Sequence, residues 1–235
     1  MDKTLRKELK TDEFAVATEH AIDYAAHHRA QMIRYGGLAL AVLLVAGAAY
    51  WFITSRAEQR GAALREVYAA REATIGAEPQ NGALKAFATQ PLKDAAVDKA
   101  INDLLAKYPG TEEAAIGTFQ KATMLADKGN LADSRKLYEQ LAASGGDFGS
   151  LARFSLAQAM VSDGKVADAE KIFRELISSP TTMVSKEQAT MALARGIMST
   201  RPDEARKLVE PLRAHPRNQV SRNAVSLLGE IPAKK

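Results

Sequence analysis

The chain contains no cysteine. That absence excludes disulfide staples, thiolate nucleophiles and cysteine-ligated metal sites together, and it leaves the redox compartment open. Aromatic residues are few, with a single Trp, and runs of β-branched residues are scarce. Ala and Leu are abundant instead, a balance that favours closely packed helices over sheets. A third scarcity is local: no charged side chain occurs in the 21 residues from Tyr35 to Ser55. As a helix such a run is about 32 Å long, enough to cross the roughly 30 Å apolar core of a bilayer.

The borders of this run carry the same message. Tyr35 stands at one end and Tyr50, Trp51 and Phe52 at the other, where rings sit in hydrocarbon and polar tips reach headgroups. Arg29, Arg34, Arg56 and Arg60 bracket both sides. A core helix of a soluble domain rarely needs an uncharged stretch of this length with such flanks. Ala46-Gly47-Ala48 has the small-residue form of a signal-peptidase site, but 34 residues precede the run and apolar Tyr50-Trp51-Phe52-Ile53 would follow the cut. An uncleaved anchor fits better. With no ionisable group inside, the span offers no proton relay or ion site. Gly37 and Ala41 form a small-xxx-small pair that could let two spans approach, a weak signal in an Ala-rich helix.

The flanking charges set an expected orientation. The 34-residue leader holds six basic side chains (Lys3, Arg6, Lys7, Lys10, Arg29, Arg34) and six acidic ones, and short basic leaders stay in the cytoplasm. Arg56, Arg60, Arg65 and Arg71 weigh the other way, but long folded domains are translocated largely regardless of charge. The C-terminal domain is therefore expected outside the cytoplasm. Of the net charge of +4, all resides beyond the span, where 26 basic and 22 acidic residues are interspersed without a concentrated stripe. A phosphate-tracking groove does not look like this, so nucleic acid is not an expected partner.

Read in order, residues 1–34 form a leader with apolar positions at Phe14, Ala17, Ala21, Ala25 and His28, a helical spacing. His20, Asp23 and His27 fall on about one helical face, too few ligands to commit to a metal. Residues 35–55 are the span, and 56–82 read as a charged helical stalk and a hinge, the helix broken at Gly76, Pro79, Asn81 and Gly82. From 83 to 235 the chain repeats. Phe119-x-x-Ala122, Gly129, Leu131, Tyr138 and Leu141 align at an offset of 35 with Phe154-x-x-Ala157, Gly164, Val166, Phe173 and Leu176. A small residue allows a close helix crossing, Gly ends the first helix, and the aromatic and Leu pack the second. At an offset of 36, Thr200, Ala205, Val209, Leu212 and Pro216 match Gly164, Ala169, Phe173, Leu176 and Pro180, with the glycine missing. Val97 to Tyr108, followed by Pro109-Gly110, reads as a degenerate earlier half, and Val220 to Ile231 as a terminal cap.

This spacing resembles the tetratricopeptide repeat, so the expected fold class is all-α: one N-terminal transmembrane helix followed by a solenoid of helical hairpins. Together with Arg6-Lys7-Glu8-Leu9-Lys10-Thr11-Asp12-Glu13-Phe14 in the leader, the single span and Tyr108-Pro109-Gly110-Thr111, the layout is similar to the YfgM-like family. That resemblance covers most of the chain. It implies a bacterial inner-membrane protein with a periplasmic repeat domain, associated with the Sec translocon, with periplasmic chaperones and with exported clients. It also implies that Ile116, Phe119 and Thr123 of one repeat, and Leu151, Phe154 and Gln158 of the next, line a concave apolar face able to hold polypeptide segments. The competing reading puts Phe119 and Phe154 in the core between neighbouring helices.

No enzyme signature accompanies these features. Gly-x-Ser-x-Gly, His-Glu-x-x-His and a phosphate loop ending in Gly-Lys-Ser/Thr are all missing. Gly145-Gly146-Asp147-Phe148-Gly149-Ser150 is the richest loop, but it falls between repeats, with Ser150 placed to cap the next helix. His215 beside Pro216 reads as an interhelical turn. The expectation is a non-enzymatic binding protein with no catalytic residues, cofactor, metal or small-molecule substrate. A scaffold for envelope assembly or division complexes is the alternative partner class, and an unrecognised enzyme the alternative of a different kind.

Overall fold

The computed structural model describes residues 29–232, and the chain divides between Gln59 and Arg60 into two compact units. The leader's apolar pattern from Phe14 to His28 and the His20, Asp23 and His27 face lie outside the described residues. What is described is mostly helical. The first helix, α1, covers Arg29–Arg71. In the first unit its most apolar stretch has no buried residue, and Trp51 is 69% exposed. Among the described residues one helix is thus long and apolar enough to cross a membrane, and its apolar stretch is not part of a core. Its backbone polar groups are satisfied along its own axis, as a bilayer requires. The Thr54 hydroxyl follows the same rule, donating to the carbonyls of Tyr50 (2.9 Å) and Trp51 (3.0 Å). Where the uncharged run ends, the Arg56 guanidinium lies 5.0 Å from the centroid of the Phe52 ring.

The second unit begins within the same helix. Ala63, Leu64, Val67 and Ala70 pack on Val97, Ile101 and Leu104 of α2 (Gln90–Lys107). Arg60 reaches Glu113 at 3.2 Å. Between α1 and α2, where the sequence reads as an open hinge, two short strands pair in parallel: β1 (Thr74–Ile75) and β2 (Ala86–Phe87), with Thr74 opposite Ala86 and Ile75 opposite Phe87. The all-α expectation therefore needs one small amendment. Two-residue strands carry no alternation to read. Asn81, at φ 54, and Gly82, at φ 77, turn the intervening loop, and Lys93 donates its ammonium to the Ala73 carbonyl at 2.7 Å.

Six further α-helices follow α2 before the terminal one. They are α3 (Glu112–Asp127), α4 (Leu131–Ser144), α5 (Gly146–Ser162), α6 (Val166–Ser178), α7 (Lys186–Ile197) and α8 (Pro202–Val209), the last continued by a 3-10 turn, Glu210–Ala214. Helix α9 (Asn218–Glu230) closes the series. Each of these helices packs on its sequence neighbours, and the first helices of successive pairs, α3, α5, α7 and α9, also touch in order. The 35-residue offset reappears as backbone geometry. Gly129 N–H donates to Ala126 and Asn130 N–H to Leu125; Gly164 N–H donates to Val161 and Lys165 N–H to Met160. Both glycines have φ near +78°, at +79° and +77°, a region that costs other residues about 1 kcal/mol or more. In the third pair, which lacks the glycine, Thr200 N–H and Arg201 N–H both return to the Ile197 carbonyl.

Burial repeats too. Ala122 and Ala157 are fully buried, as are Ala169 and Ala205, and Leu141 and Leu176 are nearly so. The main core joins α5 to α9 through Phe154, Phe173, Leu193, Ile197, Val209 and Leu227. Small residues set the helix spacing. A Cβ on Gly149 would lie 3.0 Å from the Leu141 carbonyl oxygen, backbone that cannot swing aside. Gly149→Ala is expected to cost about 1–3 kcal/mol by forcing α4 and α5 apart. Urea denaturation of the protein in detergent measures this, and a change below about 0.5 kcal/mol would show that the crossing relaxes freely.

One charge cluster links α6 to α8. The Glu170 carboxylate accepts from Arg201 and Arg174, and both guanidiniums also reach Glu204, at 3.0 and 2.8 Å. The hydrogen bond from Arg201, then that from Arg174, holds the Glu170 carboxyl below its ordinary value. A depressed carboxyl adds stability that is fully present above its ordinary unfolded value and is lost as pH falls through the folded one. Acidification from about pH 5 to 3 should therefore narrow the Tm difference between the native protein and Glu170→Gln. Thermal melts across that range check this; a gap that stays constant would remove Glu170 from the acid response.

Candidate functional site

The ends of four helices meet around one cleft. Pro109 and Gly110, at φ 73, stop α2 just after Tyr108, whose N–H returns to Leu104. Thr111 then starts α3: its Oγ1 accepts from Ala114 N–H at 3.3 Å and donates to the Tyr108 carbonyl at 2.8 Å. The phrase Tyr108-Pro109-Gly110-Thr111 is thus a tight stop-and-start device. On the other side α4 ends at Ser144, and Gly145 and Gly146, at φ 74 and 68, swing the chain into α5. Between these turns lies a cleft of about 770 Å³ with apolar walls from Leu105, Ala115, Leu141 and Phe148 and with Glu112 and Asp147 at its rim. Ser150 does not cap α5. It lies within the helix, buried, its hydroxyl donating to the Gly146 carbonyl at 3.1 Å, because the two glycines already start the helix before it.

The six residues expected on one concave face divide by environment. Phe154 is 7% exposed, and its ring meets Phe173 edge-on at 5.7 Å between centroids. It is a core residue and presents no surface to a client. Leu151, half-buried, packs on the same cluster. Phe119 is half-buried in a separate aromatic group, 5.4 Å from Tyr138 and 6.4 Å from Phe148. Thr123 belongs there as well: its hydroxyl donates to the Phe119 carbonyl and shares a 3.0 Å hydrogen bond with the Tyr138 hydroxyl. Ile116 is half-buried and Gln158 exposed. None of the six lines the cleft, whose α3 wall is Ala114, Ala115 and Thr118, the adjacent positions around the helix.

Phe148 was hidden inside the glycine-rich loop, yet it joins the aromatic group to the cleft. The usable signal was an aromatic two residues after a Gly-Gly pair, at a helix start. His215 acts as a turn residue: Arg217 N–H donates to its Nδ1 at 3.1 Å, and its Nε2 lies 3.4 Å from Glu187. Among the described residues no group of three or more His, Asp or Glu side chains is placed to hold a metal. What the cleft and its surroundings offer is shape, apolar wall and peripheral charge. Compared with protein-family models, with curated proteins and with solved structures, the chain finds no match.

Proposed function

We propose that this chain is a single-pass anchor of the bacterial inner membrane, carrying a tetratricopeptide-like stack of helical hairpins that binds other proteins at the Sec translocon. Its leader lies in the cytoplasm and its hairpin domain in the periplasm. The observation that carries the reading is one apolar helix, unburied over its membrane-length window, on the same chain as helix pairs whose turns and buried small residues recur every 35 residues. Pairs of this kind hide their apolar faces only against one another, so a stack of them leaves long surfaces for partners. The six Lys and Arg side chains of the short leader support the orientation, and the resemblance to the YfgM-like family supports the translocon, periplasmic chaperones and exported clients as partners.

Within the domain, the surface proposed for clients is that of the first helices at half-buried Ile116, Phe119 and Thr123 and exposed Gln158, together with the neighbouring cleft walled by Phe148. Photo-crosslinking from Gln158 and Phe148 in intact membranes tests this, with exposed Lys171 as a control. Recovery of translocon subunits, periplasmic chaperones or exported chains from the first two positions and not the third is the expected result. Recovery of envelope-assembly or division proteins would replace the partner class, and recovery of cytosolic proteins would reverse the orientation.

A further inference from the structure

A second cleft, of about 550 Å³, opens between α6, α7 and α8, away from the aromatic group. Its walls are apolar, from Ile177, Leu208 and Leu212, all half-buried against the main core. Its rim carries three cations, Arg174, Lys186 and Lys207. Arg174 is already engaged with Glu170 and Glu204. Lys186 and Lys207 have no acidic partner among the described residues. The one carboxylate in the lining, Glu187, is taken up by Arg217 at 3.0 Å and faces His215 at 3.4 Å. Lys186 is also the first residue of α7, so the partial positive charge of a helix N-terminus adds to the same side.

We infer that this cleft is a docking site for an acidic segment of a partner polypeptide, one that carries an apolar side chain next to its carboxylates. It rests on the reading of the chain as a protein-binding scaffold and adds to it the chemistry of one partner segment. The two unneutralised ammonium groups supply charge complementarity, and the apolar walls give an aliphatic side chain somewhere to leave water. An anionic bilayer fits less well. Glu204 lies 2.8 Å from Arg174 of the rim and Glu210 directly precedes Pro211 of the lining, so the face is a small cationic spot within mixed charge and not a broad basic plane.

Fluorescence anisotropy with the full-length protein in detergent provides the test. The probe is a labelled synthetic peptide alternating Glu and Leu; its comparators carry Gln for Glu, or Ser for Leu. The Glu/Leu peptide is expected to bind best, and to weaken as ionic strength rises from about 0.05 to about 0.5 M. Lys186→Gln with Lys207→Gln should weaken it on the order of tenfold, with circular dichroism unchanged because both side chains are exposed. Equal binding of the three peptides, or indifference to the double substitution, overturns the proposal. So does Lys186- and Lys207-dependent binding to phosphatidylglycerol vesicles without peptide binding. The Gln158 crosslinks should persist in the double variant. If they are missing from the native protein while the Glu/Leu peptide still binds, the scaffold reading of the first face fails and this site stands.

Discussion

Phe173→Ala is expected to lower the unfolding free energy of the helical domain by about 3–5 kcal/mol, more than any other single truncation considered for this chain. The ring is 1% exposed, makes an edge contact with Phe154, and belongs to the cluster that runs from α5 to α9. Removing it withdraws apolar surface worth roughly 2–3 kcal/mol of burial and leaves a cavity whose walls are other helices, so collapse is incomplete. Phe173→Leu keeps most of the volume and should cost less than about 1.5 kcal/mol. Tyr138, the equivalent residue one repeat earlier, is half-buried and hydrogen-bonded through its hydroxyl, so Tyr138→Phe should cost only about 1 kcal/mol. Urea denaturation followed by circular dichroism orders the three. A Phe173→Ala loss no greater than that of Tyr138→Phe would mean that the α5 to α9 cluster is not what holds the stack.

That contrast also marks how far the sequence can be read. Gly129 and Gly164 were legible as helix stops because a positive φ excludes most other residues, and both make the same pair of backbone hydrogen bonds. Ala122 and Ala157 were legible because a close crossing demands a small side chain, and both are fully buried. Phe119 and Phe154 occupy the same place in the repeat, yet only the second is in the core. Periodicity states which face of a helix is apolar, not which neighbour covers it. Phe154 meets Phe173 in an aliphatic cluster, whereas Phe119 meets the polar-tipped Tyr138 and the Phe148 edge. Ser134 escaped notice for a related reason. It fills the buried position that Ala169 and Ala205 hold in the other pairs, but its hydroxyl reads as surface. The β1 and β2 pair and the clefts depend on segments distant in sequence, such as Pro109 and Phe148, and no local pattern announces them.

The anchor is the other place where a small change should have a large effect. Leu44 and Val45 lie at the middle of the uncharged run, and both are exposed along the described helix. Leu44→Arg with Val45→Arg places two guanidiniums where a single one costs about 2.5–3.5 kcal/mol to insert, so the pair should cost about 5–7 kcal/mol. Snorkelling cannot relieve this from the centre, because either interface is about 15 Å away and an extended arginine is shorter than that. The native protein is expected to stay with membranes through alkaline carbonate extraction, and the double variant to be released or degraded. The substitution leaves the helical domain's core untouched, since neither residue contributes to it. Release of the native protein by carbonate would sink the anchor. So would a mature protein beginning at Ala49, because cleavage after Ala46-Gly47-Ala48 would make the same apolar run a discarded signal and leave the hairpin domain free of the membrane.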